Sequence, residues 1–89
     1  MSKVFTYSFS NEFNSILKKL LKKDKTLFTR LDKKIFEVVK NPNKGEPLRN
    51  IFKNKRRIHV DPFVLVYEIN DTEIRFLDFD HHDKVYKKF

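Results

Sequence analysis

The sequence predicts an α+β domain: an N-terminal strand, an αα-hairpin, then a mainly antiparallel sheet and a short C-terminal tail, in the order β-αα-ββββ. Hydrophobic spacing carries that reading. Apolar residues recur at a helical period of about 3.6 over residues 13–39 and at a period near 2 beyond residue 57. The 89 residues suffice for one domain, spanning 1–89, with an adequate core in which ten phenylalanines supply bulk.

Val4, Phe5, Tyr7 and Phe9 open the chain as a short strand, with no continuous apolar stretch of the kind a signal peptide needs. Ser10 is placed to cap a helix. Phe13, Ile16, Leu17, Leu20 and Leu21 then form one stripe, with Lys18, Lys19, Lys22 and Lys23 on the other face. Those lysines, with Lys25, suit a solvated face that steers anions without doing chemistry. Asp24 reads as the cap of a second helix, whose stripe is Leu27 or Phe28, then Leu31, Ile35, Val38 and Val39. Asn41-Pro42 ends it, because the residue before a proline avoids the α region. So short a break between the helices makes an antiparallel hairpin.

Residues 43–47 are irregular and hold the single glycine, Gly45. Residues 48–52 read as a short strand. Arg57, Ile58, His59 and Val60 alternate, Asp61-Pro62 turns the chain, and residues 63–69 are apolar enough for a strand buried on both faces. Asn70-Asp71 makes the next turn before a last strand over 73–80, and residues 81–89 allow one short helical turn.

The net charge of +8 calls for an anionic partner, and its distribution narrows where that partner docks. Residues 40–57 hold seven Lys/Arg against one acid, whereas residues 68–83 hold six acids against one base. No apolar run nears the roughly 20 residues that span a bilayer, and the absence of cysteine excludes disulfide or thiolate chemistry and suits a cytoplasmic setting.

Two segments carry candidate chemistry. In a strand, Ile58 and Val60 face the core while Lys55, Arg57 and His59 share the opposite face, spaced about 6.6 to 7 Å apart. That matches a row of phosphates, with arginine gripping through paired hydrogen bonds. The same pattern equally suits a solvated edge strand protected by its lysines. The second segment is Asp78-Phe79-Asp80-His81-His82-Asp83-Lys84-Val85-Tyr86, where histidine suits proton transfer near neutrality. Its alternatives are a packed structural tail and a metal site. Adjacent histidines in a strand diverge, so no metal and no cofactor is expected.

The element order, Pro47-Leu48 ahead of basic residues, Arg57-Ile58-His59-Val60, the run from Pro62 through Phe63, Val64, Leu65, Val66, Tyr67, Glu68 and Ile69, and the ending in Val85-Tyr86 together resemble the RelE/ParE toxin superfamily over essentially the whole chain. The likeness to RelE-type members implies a toxin of a type II toxin–antitoxin system. Such a toxin is a metal-independent endoribonuclease that cuts mRNA in the ribosomal A site. It is neutralised by a cognate RelB-like antitoxin and meets DNA only through the antitoxin complex. Carried over by position, Lys55, Arg57, His82 and Tyr86 are the implied catalytic set, with the choice between His81 and His82 left open, and Arg49, Lys53, Arg56, His59 and His81 are the implied RNA-binding set. Mutual repulsion among the cations makes Lys55 or Lys53 a conceivable base. One departure stands out: many RelE relatives carry an arginine within residues 63–67, where this chain has Val64. A ParE-like gyrase inhibitor without nuclease chemistry, or a degenerate toxin that only binds its antitoxin, are the alternatives.

Overall fold

The computed structural model describes residues 5–48 and 54–89. Strand β1 (Thr6–Phe9) leads into helix α1 (Asn11–Lys23) and helix α2 (Lys25–Lys40). A single 3-10 turn (Pro42–Lys44) precedes β2 (Glu46–Pro47), β3 (Lys55–Val60), β4 (Phe63–Asn70), β5 (Glu73–His81) and a closing helix α3 (His82–Lys88). The five strands form one sheet in the order β1-β5-β4-β3-β2. Every pairing is antiparallel except β1 with β5, which run parallel. The expected strand over 48–52 lies mostly outside the described residues, and β2 pairs through Glu46 and Pro47 instead.

The helix boundaries follow from local hydrogen-bond chemistry. Ser10 Oγ accepts from the Phe13 amide at 3.1 Å, and Asp24 Oδ1 accepts from the Leu27 amide at 3.1 Å, each satisfying a donor that the first helical turn leaves open. The α2 stripe seats Leu27, Leu31, Ile35 and Val38 in the core, with Leu27 rather than Phe28 buried at its start. Leu21, expected in the α1 stripe, is instead 52% exposed, and only Phe13 of that helix is fully enclosed. The hairpin covers one face of the sheet, where Val60, Leu65, Tyr67, Ile74, Phe76 and Phe79 meet it.

Phe76 and Phe79 are three apart, a spacing that a regular strand would split between faces. A register shift resolves this: Val66 pairs with Asp78 and Tyr67 with Phe76, leaving Leu77 unmatched. Both rings thereby enter the core, and Asp78 and Asp80 are turned to the other face beside Val66 and Val64. That outer face has its own small cluster, Val64, Val66 and Val85, with Leu48, Leu77 and Phe89 packed around it. Helix α3 thus lies across the outer face, where the sequence suggested only a loose helical turn. Among the described residues no helix is long and apolar enough to cross a membrane.

Candidate functional site

Strand β3 is held by β4 with Lys55 opposite Glu68, Arg57 opposite Val66 and His59 opposite Val64. Alternation therefore gives Lys55, Arg57 and His59 the outer face, as expected, since Ile58 and Val60 pack toward the helices. Asp61-Pro62, joined by a cis peptide bond, returns the chain into β4.

Arg57 is the hub. Its guanidinium carbon lies 5.4 Å from the centre of the Tyr86 ring, within cation–π range, while one terminal nitrogen donates to Glu46 Oε2 at 3.1 Å. Its Nε is buried and has no hydrogen-bond partner among the described residues. The Tyr86 ring in turn lies nearly parallel to the His82 ring, with centroids 6.5 Å apart and planes inclined by 21°. The basic strand and the histidine–tyrosine tail are thereby brought together as one row: Arg57, Tyr86, His82.

Helix α3 makes that row. Val85 is fully buried against Val64 and Val66. Lys88 Nζ donates to Asp78 Oδ2 at 2.8 Å and to Asp80 Oδ2 at 3.4 Å, clamping the helix to β5. The hydrogen bond to Asp78, reinforced by the charge of both carboxylates, raises the Lys88 pKa despite some desolvation. Val85 was expected to pack in the reading of the segment as a structural tail, whereas Lys88 and its pairing with Asp78 and Asp80 were not singled out from the sequence. The only signal is the i, i+2 spacing of Asp78 and Asp80 on one strand face, which becomes meaningful once a cation is known to reach it.

Other expected residues fall elsewhere. Arg56 points to the opposite face, where it donates to the Gly45 carbonyl at 2.7 Å and braces the loop before β2. Lys55 faces Glu68 at 3.7 Å, so its surroundings are not the purely cationic cluster envisaged for a lysine base. His59 is exposed at the sheet edge and lines a cleft of mixed charge with Arg30, Lys33, Lys34 and Glu37 of α2 and with Asp61, a neighbourhood that sequence reading missed because those residues are distant along the chain. Arg49 and Lys53 lie outside the described residues. His81 and His82 do not diverge as successive strand residues would. The strand ends at His81 and the helix begins at His82, so the rings sit 4.5 Å apart, centre to centre, with Asp83 against both.

Val64 occupies the segment in which many RelE relatives place an arginine. It is wholly buried beneath α3, so this part of the outer face is dry and the polar groups are displaced toward the β3 side.

Comparison with known proteins agrees with this architecture. Residues 7–86 match the profile of the family described as the ParE toxin of type II toxin–antitoxin systems. A candidate toxin named RelE4 from Methanocaldococcus jannaschii is 41% identical over 78 residues, covering 84% of this chain and 83% of the relative. A chain of the Escherichia coli DinJ–YafQ toxin–antitoxin complex superposes with a TM-score of 0.77 at 22% identity, over 94% of this chain and 99% of its own. A chain of the Mycobacterium tuberculosis RelBE2 complex gives a TM-score of 0.73 at 23% identity, over 90% and 100% respectively.

Proposed function

Because the chain belongs to the ParE toxin family within the RelE/ParE superfamily of type II toxin–antitoxin systems, we propose that it acts as an endoribonuclease on ribosome-bound mRNA. The observation that supports this reading best is the contiguous row of a guanidinium, a phenol and an imidazole across β3 and α3.

Cleavage without a metal requires the 2′-OH to attack the adjacent phosphorus as the bond to the 5′-oxygen breaks, leaving a 2′,3′-cyclic phosphate. A base must take the 2′-OH proton, an acid must supply one to the leaving 5′-oxygen, and cations must hold the phosphorane. Arg57 is suited to the phosphorane, since its guanidinium stands against Tyr86 on the outer face and can turn its paired terminal donors from Glu46 to a phosphate. His82 is the proton-transfer group, and Tyr86 stacks on a base or hydrogen-bonds the phosphate between them. Lys55 adds positive charge beside Arg57, while Arg49, Lys53, His59 and His81 extend the RNA contact.

Programmed ribosomes carrying a defined A-site codon test the assignment. Arg57→Ala and His82→Ala are each expected to slow cleavage by about 10² to 10³, and Tyr86→Phe less than Tyr86→Ala. Parent-like cutting by all of them would sink the site.

The second reading is gyrase inhibition without nuclease activity, favoured by the ParE description of the family and by Val64 standing where many RelE relatives carry an arginine. A supercoiling assay separates them, since a gyrase poison stalls supercoiling and leaves mRNA intact. In both readings a cognate, acidic, RelB-like antitoxin neutralises the toxin. The lysine face of the hairpin, with Leu21 exposed beside it, suits an acidic amphipathic helix.

A further inference from the structure

The turn from β5 into α3 gathers three potential metal ligands. His81, His82 and Asp83 each offer one ligand atom, and these atoms lie within 4.8 Å of one another. The Asp83 carboxylate is 2.9 Å from His82 Nδ1 and 3.7 Å from His81 Nδ1. The two histidines meet different oxygens of that carboxylate, and His81 Nδ1 also accepts a long hydrogen bond from the Asp83 amide at 3.3 Å. A tetrahedral zinc ion with ligands at about 2.0 to 2.2 Å sets its ligand atoms about 3.4 Å apart, so a small turn of exposed side chains brings one atom of each residue to the ion. We propose that His81, His82 and Asp83 form a binding site for a borderline divalent cation, zinc above all, that silences the toxin reversibly.

Three features favour a cation over a merely polar helix start. The donor set, two imidazoles and one carboxylate, suits zinc, nickel or copper and disfavours magnesium or calcium, which need oxygen ligands. The side chains of His81, His82 and Asp83 are 40%, 46% and 72% exposed, so an ion reaches them without disturbing the core. Among the described residues the Asp83 carboxylate has no lysine or arginine partner, in contrast to Asp78 and Asp80, which share Lys88. Three protein ligands leave a coordination position open for water or an RNA phosphate.

The silencing follows from His82 and rests on the nuclease reading above. Zinc on His82 Nδ1 takes the place of the proton that makes the imidazolium, the Nε2–H that remains is too weak an acid to protonate the leaving oxygen, and the ring is fixed relative to Tyr86. Proton transfer at the leaving oxygen is then lost while the fold is unchanged.

The site and its consequence are tested separately on untagged protein stripped of metal. Titration with zinc, and cobalt as a visible-absorbance probe, is expected to show one ion per chain. His81→Ala and Asp83→Ala should each weaken binding by about tenfold or more, while His59→Ala, lacking the remaining histidine, binds as the parent does. No binding at submillimolar zinc, or unchanged binding in both variants, overturns the site. In the programmed-ribosome assay, the ratio of cleavage without zinc to cleavage with it should be large for the parent, near unity for Asp83→Ala, and restored by a zinc-selective chelator that spares magnesium. Stoichiometric binding with an unchanged cleavage ratio overturns the silencing. Binding by a protein that cuts nothing even when metal-free leaves the site standing and removes the nuclease reading instead.

Discussion

Arg57 holds three relations at once: an ion pair to Glu46, a ring contact to Tyr86 and a buried Nε without a partner. A lysine keeps the charge but loses the planar fork, the stacking surface and the buried donor. Arg57→Lys is therefore expected to behave nearly as Arg57→Ala in cleavage kinetics, and full rescue by lysine would reduce Arg57 to a point charge. A different constraint acts at Gly45. Its φ of −74° is open to any residue, so space rather than conformation demands glycine there. A Cβ would stand 2.5 Å from the Tyr67 hydroxyl and 2.8 Å from the Arg57 carbonyl. That hydroxyl accepts from the Gly45 amide at 2.9 Å and donates to the Pro42 carbonyl at 2.6 Å, tying the loop to the sheet directly behind the site. Gly45→Ala should cost about 1 to 3 kcal/mol of stability in chemical denaturation. Tyr67→Phe should cost a similar amount by orphaning buried backbone groups. Unchanged midpoints would show that the loop shifts freely.

Helix α3 is seven residues long, too short to persist in isolation, so its position depends on what Val85 and Lys88 touch. Val85→Ala is expected to cost about 2 kcal/mol, and with Lys88→Met it should lower cleavage without altering the residues that do chemistry. Parent-like activity in the double variant would mean that the tail acts without docking. The pH dependence has a definite sign. Lys88 and Tyr67 both have pKa values raised by folding, through the Asp78 hydrogen bond and through burial respectively. Their contributions are complete below the unfolded values of about 10 and are lost as pH rises through the folded ones. Lys88→Met and Tyr67→Phe should each flatten the loss of stability above about pH 10 in thermal melts. The docking of α3 also marks the boundary of what was legible in the sequence. Periodicity exposed both long helices, their caps at Ser10 and Asp24, and the outward row of Lys55, Arg57 and His59, because each depends on neighbours a few residues away. The burial of Val85 on Val64, the reach of Lys88 to Asp78, and the bulge at Leu77 depend on contacts across strands. No spacing rule reports those. His81 and His82 misled for the same reason: their divergence holds only within a strand, and the chain changes element between them.

Across the whole molecule, five of the twelve acids are taken up in pairs with lysine or arginine among the described residues. Glu37 meets Lys34 and Lys44, Glu46 meets Arg57, Glu68 meets Lys55, and Asp78 and Asp80 meet Lys88. The exposed lysines of α1, by contrast, stand at the surface on an element remote in sequence from the candidate site. This division separates steering from chemistry. Association with RNA should weaken with salt, with a slope of about −0.7 per phosphate neutralised on a single strand. Replacing Lys18, Lys19 and Lys22 together by glutamine removes charge that acts at long range and makes no contact with the reacting atoms. The expected result is a slower association rate, a shallower salt dependence and equal weakening for every RNA sequence, with kcat preserved at saturation. Arg57→Ala should do the reverse: a large fall in kcat with only a small change in salt slope. Stopped-flow binding of a labelled oligonucleotide over a potassium chloride series, set beside cleavage at saturating toxin, reads both quantities. If the lysine variant lost kcat, or if Arg57→Ala changed only the salt slope, the α1 face would belong to the site and the row of Arg57, Tyr86 and His82 would not.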